Sequence, residues 1–316
     1  MTKNLTSDER RGAFLSLLSV VFFVANILVL KALNVHAEAV DGWVGTVTRG
    51  VVGLAILTLV FRGSQGLKWK ALVTHPLLLV RGIIGATTIA ILYLTVDHLG
   101  AGRALILNQN YPLFAGILAA ILLKESLGWR GGLCLLAGFV GLILFLGSGM
   151  DFEGVSFWDG LALLGAFLAG LVVLLIRHLR HDFQPPTIYA AQCLFSVVIA
   201  IPVCGGKVAA VTPTAWGFLA VAATLVTAGQ LLLTHAFRVI SVAKGSGVQM
   251  LLPPITAAGG MLFFGESYTA LEAIGAVVTL GATWLLLNTR SPQPKDSPMH
   301  PLNSVINKKP TTTQEP

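Results

Sequence analysis

The residues able to do chemistry in this sequence form one set written twice. Arg103, Asn108, Pro112, Glu125 and Ser126 lie in and just after one apolar segment, and Lys244, Gln249, Pro253, Glu266 and Ser267 repeat the spacing about 140 residues later. The chemistry they offer is recognition. A proline within an apolar helix lacks its own N–H and crowds the carbonyl four residues earlier. Those carbonyls belong to Asn108 and Gln249, whose side-chain amides add a donor and an acceptor. In lipid such a break is costly unless it lines a polar cavity, and Pro254 deepens it in the second copy. The competing role is a kink whose amides bond neighbouring helices. Asn108 and Tyr111 share a helix side with Pro112 and are the better ligand candidates, whereas Gln109 and Asn110 point elsewhere.

Other polar residues sit within apolar runs. Arg49 falls roughly 9 Å from one end of its run at 1.5 Å per residue. A guanidinium there suits a carboxylate or phosphate, although snorkelling or a bond to backbone carbonyls is equally physical, and a structural role is favoured. Arg81 and Lys31 lie near the ends of their runs and are expected to snorkel. Gln192 takes roughly the place in the second half that Arg49 holds in the first. Tyr93, Gln230, His235 and Asn26 complete the set, and His235 reads as interfacial. The candidate substrate contacts are thus Asn108, Tyr111, Gln249, Arg49, Tyr93 and Gln192. Pro112, Pro253, Pro254, Glu125 and Glu266 are candidates for helix breaking and gating; for the two glutamates, plain interfacial solvation stays open.

None of the fourteen Asp and Glu residues falls at mid-run, which argues for facilitated diffusion or exchange over coupling through a buried carboxylate. An intramembrane enzyme would need a nucleophile–base pair or metal ligands within the runs. There is no HExxH or GxSxG, and the seven histidines are scattered, so neither catalysis nor a metal or other cofactor is expected. A non-transporting sensor or assembly subunit is not excluded by the sequence.

The elements positioning these residues are apolar helices. Of 316 residues, 55% are hydrophobic and 11% charged, with mean hydropathy +0.80; soluble domains carry about 25% charged residues. Apolar runs span 12–33, 43–61, 77–96, 104–123, 130–147, 158–177, 186–204, 214–236, 244–264 and 271–288, each long enough for a hydrocarbon core of about 30 Å. The runs are continuous rather than alternating, which excludes a β-barrel. No cleavable signal peptide is expected, because Met1–Arg11 is polar and the first run is long enough to span. Lys and Arg gather in one set of connections (Lys3, Arg10, Arg11; Arg62, Lys68, Lys70; Lys124, Arg130; Arg177, Arg180; Arg238; Arg290), which predicts that both termini are cytoplasmic. The net charge of +7 reflects this bias rather than nucleic-acid binding. The six tryptophans fall at predicted interfaces. Small pairs such as Ala137/Gly141 and Ala166/Gly170 read as packing faces, with Gly131, Gly132, Gly138, Gly259, Gly260, Gly275 and Gly281 in the same role. Cys134, Cys193 and Cys204 lie in spans and read as buried fillers.

The fold class is therefore an all-α polytopic membrane protein of ten helices in two inverted five-helix repeats. Residues 1–11 form a cytoplasmic N-terminus, 12–147 the first repeat, 158–288 the second, and 289–316 a disordered tail without assigned function. Inverted repeats carrying polar residues and a proline at mid-span are a common architecture of secondary transporters.

Residues 92–146 (LYLTVDHLGAGRALILNQNYPLFAGILAAILLKESLGWRGGLCLLAGFVGLILFL) and 242–267 (VAKGSGVQMLLPPITAAGGMLFFGES) resemble the drug/metabolite transporter superfamily, specifically its ten-helix EamA branch. Arg49 matches an arginine common at that place in the family, and Arg81 looks like a subgroup feature. The resemblance covers nearly the whole chain apart from the tail. It implies an inner-membrane carrier working by alternating access, one half rocking against the other, and is nearly silent on substrate; the polar amides and Arg49 fit a small polar metabolite, such as an amino acid or organic acid, with outward transport expected. A larger aromatic vitamin or nucleoside-like solute is the alternative, with Tyr111 and Tyr93 able to stack. The expected partners are that solute and the lipid bilayer, without nucleic acid; monomer and homodimer are equally compatible.

Overall fold

The computed structural model of the chain describes residues 7–38, 40–61, 66–99, 101–123, 128–147 and 156–289. Lys3, Arg62, Lys124, Glu125, Ser126, Arg290 and the tail lie outside the described residues.

Helices account for nearly everything described. They are α1 (Ser7–His36), α2 (Gly42–Val60), the short α3 (Trp69–Thr74), α4 (Pro76–Leu99), α5 (Ala101–Asn108), α6 (Tyr111–Leu122), α7 (Gly128–Leu146), α8 (Phe157–Leu179), α9 (Pro185–Cys204), α10 (Pro213–Ala236), α11 (Val242–Val248), α12 (Leu252–Phe264) and α13 (Ala270–Asn288). Taking α5–α6 and α11–α12 as single interrupted spans, ten helical spans are long and apolar enough to cross a membrane. The first is longer than its apolar run, beginning in polar residues at Ser7. Local signals fix the ends. Pro76, Pro185 and Pro213 open helices, where a missing N–H costs nothing. Asp41, Ser156, Thr212, Ser241 and Thr269 cap exposed backbone N–H groups, and Gly265 closes α12 at φ 67°. Large apolar side chains such as Leu59, Ile121, Trp129, Phe263, Val277 and Trp284 remain on the outside, where lipid rather than water suits them.

The spans alternate in direction, so Ser7 and the ends of α2, α8, α10 and α13 share one face, called here the N-face. Each repeat contributes five spans, an odd number, which turns the second copy over relative to the first.

Packing interlaces the repeats. α1 packs on α10, α10 on α2, α2 on α9, α9 on α4, α4 on α8, α8 on α5–α6, α6 on α11, and α11–α12 back on α1. This closes a ring of eight spans in which every neighbour comes from the other repeat. The last span of each repeat, α7 and α13, pairs outside the ring against the two interrupted spans. That pair is close: a methyl on Gly275 would lie 2.5 Å from Phe145 N and 2.6 Å from Gly141 O. Gly170 likewise meets the backbone of α6, at Ala115 N, whereas a Cβ added at Gly132 or Gly281 would point into open space.

Candidate functional site

Four ring helices bring their polar residues together near the N-face half. Glycines permit the approach. A Cβ on Gly53 of α2 would sit 2.8 Å from Cys193 Sγ of α9, and one on Gly82 of α4 would sit 2.8 Å from Ala191 O. Into this contact projects Arg81, only 1% exposed. Its Nη2 donates to Gln192 Oε1 at 2.8 Å, and Gln230 Nε2 of α10 donates to the same oxygen at 3.2 Å. The expected snorkelling of Arg81 is not what the fold does. Its helix is enclosed between α8 and α9, and Gly85 one turn later leaves room for the guanidinium to lie along α4 toward Gln192. Arg49 joins from α2, its Nε 3.5 Å from the buried Tyr189 hydroxyl. The two guanidiniums are near enough to repel, and the titratable groups acting on them are Tyr189, Cys193 and Tyr93, without a carboxylate. Arg49 and Gln192 thus belong to one cluster. Sequence reasoning passes over Tyr189, although it lies three residues before Gln192 and four before Cys193, the spacing of a shared helix face.

The prolines break their spans outright. α5 ends at Asn108, Gln109 and Asn110 form a turn, and α6 starts at Tyr111 with Pro112 in its first turn. Asn110 O accepts from Leu113 N at 3.0 Å and Phe114 N at 3.2 Å, so the new helix is anchored without the proline N–H. In the second copy a 3₁₀ turn, Gln249–Leu251, separates α11 from α12, which carries Pro253 and the buried Pro254 in its first turn.

The two amides differ. Asn108 is half-buried, makes no hydrogen bond among the described residues, and borders Gly165 of α8. Tyr111 beside it is enclosed by protein yet keeps accessible surface, as Arg49 does, so both face space inside the ring. Gln249 is 4% exposed and donates to Ser19 Oγ of α1 at 3.1 Å, with Ser16 at 3.5 Å. In the geometry it is a helix-to-helix tie. Tyr93 lies farther toward the opposite face, packed on Gly42 and against Trp43 with ring centroids 6.0 Å apart.

Ion pairs join the repeats at both faces. Arg103, opening the first interrupted span, grips Asp159 of α8 through Nε at 2.7 Å and Nη2 at 2.9 Å. Asp159 also accepts from Ser156 N at 2.7 Å. Lys244, opening the second interrupted span, pairs with Glu9 of α1 at 3.6 Å. The acids occupy the third helical position of the first span in each repeat, so the pairs are mates under the inversion. Lys31, near the end of its span as expected, pairs with Glu266, which also accepts from Tyr268 Oη at 2.8 Å. The Lys31 bond and then the Tyr268 bond hold the Glu266 carboxyl below its ordinary value. Burial, and next the Glu266 bond, push Tyr268 up to about 12. Lys207 pairs with Asp41 at 2.7 Å. Glu125 lies outside the described residues. Among the described residues no group of three or more His, Cys, Asp or Glu could hold a metal ion.

Residues 10–147 and 156–288 each match the EamA-like transporter family. The chain belongs to that family. It is a multi-pass membrane transporter by membership. The pseudopaline exporter CntI of Pseudomonas aeruginosa, in strains UCBPP-PA14 and PAO1, is 26% identical over 221 residues, covering 68% of this EamA-family chain and 76% of the exporter. A solved crystal structure is similar in fold at a TM-score of 0.73 and 14% identity, over 87% of this chain and 95% of that one.

Proposed function

We propose that this EamA-family transporter resides in a cell's inner membrane with both termini cytoplasmic and exports a small polar metabolite, such as an amino acid or organic acid, by alternating access. The observation carrying this reading is the interior position of Arg49 and Tyr111, enclosed by a closed ring of helices while retaining accessible surface. Asn108, with an unbonded amide at a helix break, supplies a third contact. Export is supported by the printed function of the Pseudomonas relative, and orientation by the Lys and Arg bias.

The interlacing bears on the motion. Rocking one sequence repeat against the other would disturb every ring interface at once, because neighbours alternate between repeats. We therefore assign the moving bodies to groups drawn from both repeats, with Arg103–Asp159 and Lys244–Glu9 making and breaking at opposite faces. The test is an untargeted comparison of metabolites inside and outside cells with and without overexpression. Wild-type protein is expected to enrich one polar solute outside, and Asn108→Ala to abolish that enrichment at equal protein level. An unchanged metabolite profile would remove the reading.

A further inference from the structure

Resting on that carrier reading, we propose that Arg49 and Arg81, with the amides of Gln192 and Gln230, form an oxyanion subsite, so that the exported solute carries a carboxylate or phosphate group. Neither guanidinium has an anionic acceptor among the described residues. Arg81 is 1% exposed, yet its Nε and Nη1 have no hydrogen-bond partner among the described residues. Its one bond goes to Gln192 Oε1, a neutral acceptor shared with Gln230. Arg49 makes a single long bond, also to a neutral group, the Tyr189 hydroxyl at 3.5 Å. Its terminal nitrogens make no hydrogen bond among the described residues.

Two guanidiniums therefore stand within reach of each other's charge, several donors are unused, and no described carboxylate acts on either. By contrast Arg103 has Asp159 and Arg177 donates to Phe237 O at 2.5 Å, while Lys244 has the longer Glu9 contact and Arg180, past the end of α8, donates to Phe183 O but leaves two nitrogens without a partner among the described residues. Burying a charge without a partner is among the costliest arrangements inside a membrane. Guanidinium never deprotonates to relieve it. A ligand bringing negative oxygen removes the repulsion and satisfies the donors together. Gln192, with its oxygen already held by Arg81 and Gln230, is fixed in orientation and keeps its own N–H₂ for the same ligand.

The test uses full-length protein purified in uncharged detergent. Thermal unfolding is followed against succinate, citrate, glutamate and inorganic phosphate at constant ionic strength, with chloride and glycerol as references. At least one oxyanion is expected to raise the melting temperature saturably, with half-maximal concentration at least tenfold higher in Arg81→Gln and in Arg49→Gln. Arg81→Lys, which keeps the charge, should recover part of the loss, and it serves if Arg81→Gln does not fold. Carboxylates acting without phosphate, or the reverse, name the oxyanion. Equal shifts in wild type and both glutamine variants, or no shift from any oxyanion, overturn the subsite. An exported solute that carries neither a carboxylate nor a phosphate group overturns it too, while leaving the carrier reading intact. An unchanged metabolite profile strikes the carrier reading instead.

Discussion

The two interrupted spans are copies of one another, yet they are held in opposite ways. The first is gripped where it begins, by the two-pronged Arg103–Asp159 bond, and its break is loose, with Asn108 unbonded. The second begins on the longer Lys244–Glu9 contact of 3.6 Å, and its break is tied to α1 through Gln249 and two serines. Inversion preserved the positions and let the strengths diverge. The difference is one of placement: the first copy is held firmly at its start and loosely at its break, and the second the other way round.

The sharpest way to break this comparison is at the tighter latch. Asp159→Ala should destabilise the protein by about 3 kcal/mol, since it removes the two-pronged charged bond to a mostly buried guanidinium. It also removes the capping bonds to Ser156 at the start of α8. A lowered melting temperature in detergent checks this, and Asp159→Glu should restore part of it. Next comes the tied break. Gln249→Ala should cost about 1–3 kcal/mol for the lost amide bonds and the small void beside α1. The loose break should behave differently: Asn108→Ala is expected to cut export at least tenfold while leaving the melting temperature within about 2 °C, because no protein bond is lost. Equal stability losses at Asn108 and Gln249 would erase the distinction between the breaks.

Much of this was legible in the residues. Apolar runs marked all ten spans because lipid exposure demands unbroken hydrophobicity, and the proline pairs marked both interruptions. The sequence left two roles for the amides, cavity contact and helix tie; the fold ties Gln249 to α1 and leaves Asn108 half-buried without a hydrogen bond among the described residues. Nothing local separates them, since the choice depends on Ser16 and Ser19, more than two hundred residues away from Gln249. Arg81 departs from its sequence expectation for a related reason. Nearness to a helix end permits snorkelling only when that end faces lipid or water, and here α8 and α9 enclose it. The ion pairs were invisible as pairs: Arg103 and Lys244 stood out by repetition, but Asp159 and Glu9 look like ordinary first-turn acids until the ring closes.

The weaker latch gives a smaller effect. Lys244 is buried, its Nζ has no hydrogen-bond partner among the described residues, and its pairing with Glu9 is long. Lys244→Met keeps the stem and removes the weakly met charge, so stability should change by less than about 1 kcal/mol, in either direction. A loss as large as that of Asp159→Ala would make the two faces equivalent and end the asymmetry between the copies.

The smallest effect concerns Lys31 and Glu266, whose side chains are 31% and 37% exposed, so solvent screens the pair. The sign is fixed by the shift. Glu266 is held below its ordinary 4.5 by the Lys31 bond and then the Tyr268 bond, so its contribution is present above that pH and is lost as pH falls through the lowered value. Between pH 6 and 8 the melting temperatures of wild type and Glu266→Gln should run parallel. Below about 4.5 the gap should narrow, because wild type then loses the carboxylate that the variant already lacks. A gap that widens on acidification would mean that α1 and α12 are joined at this face by something other than that charge.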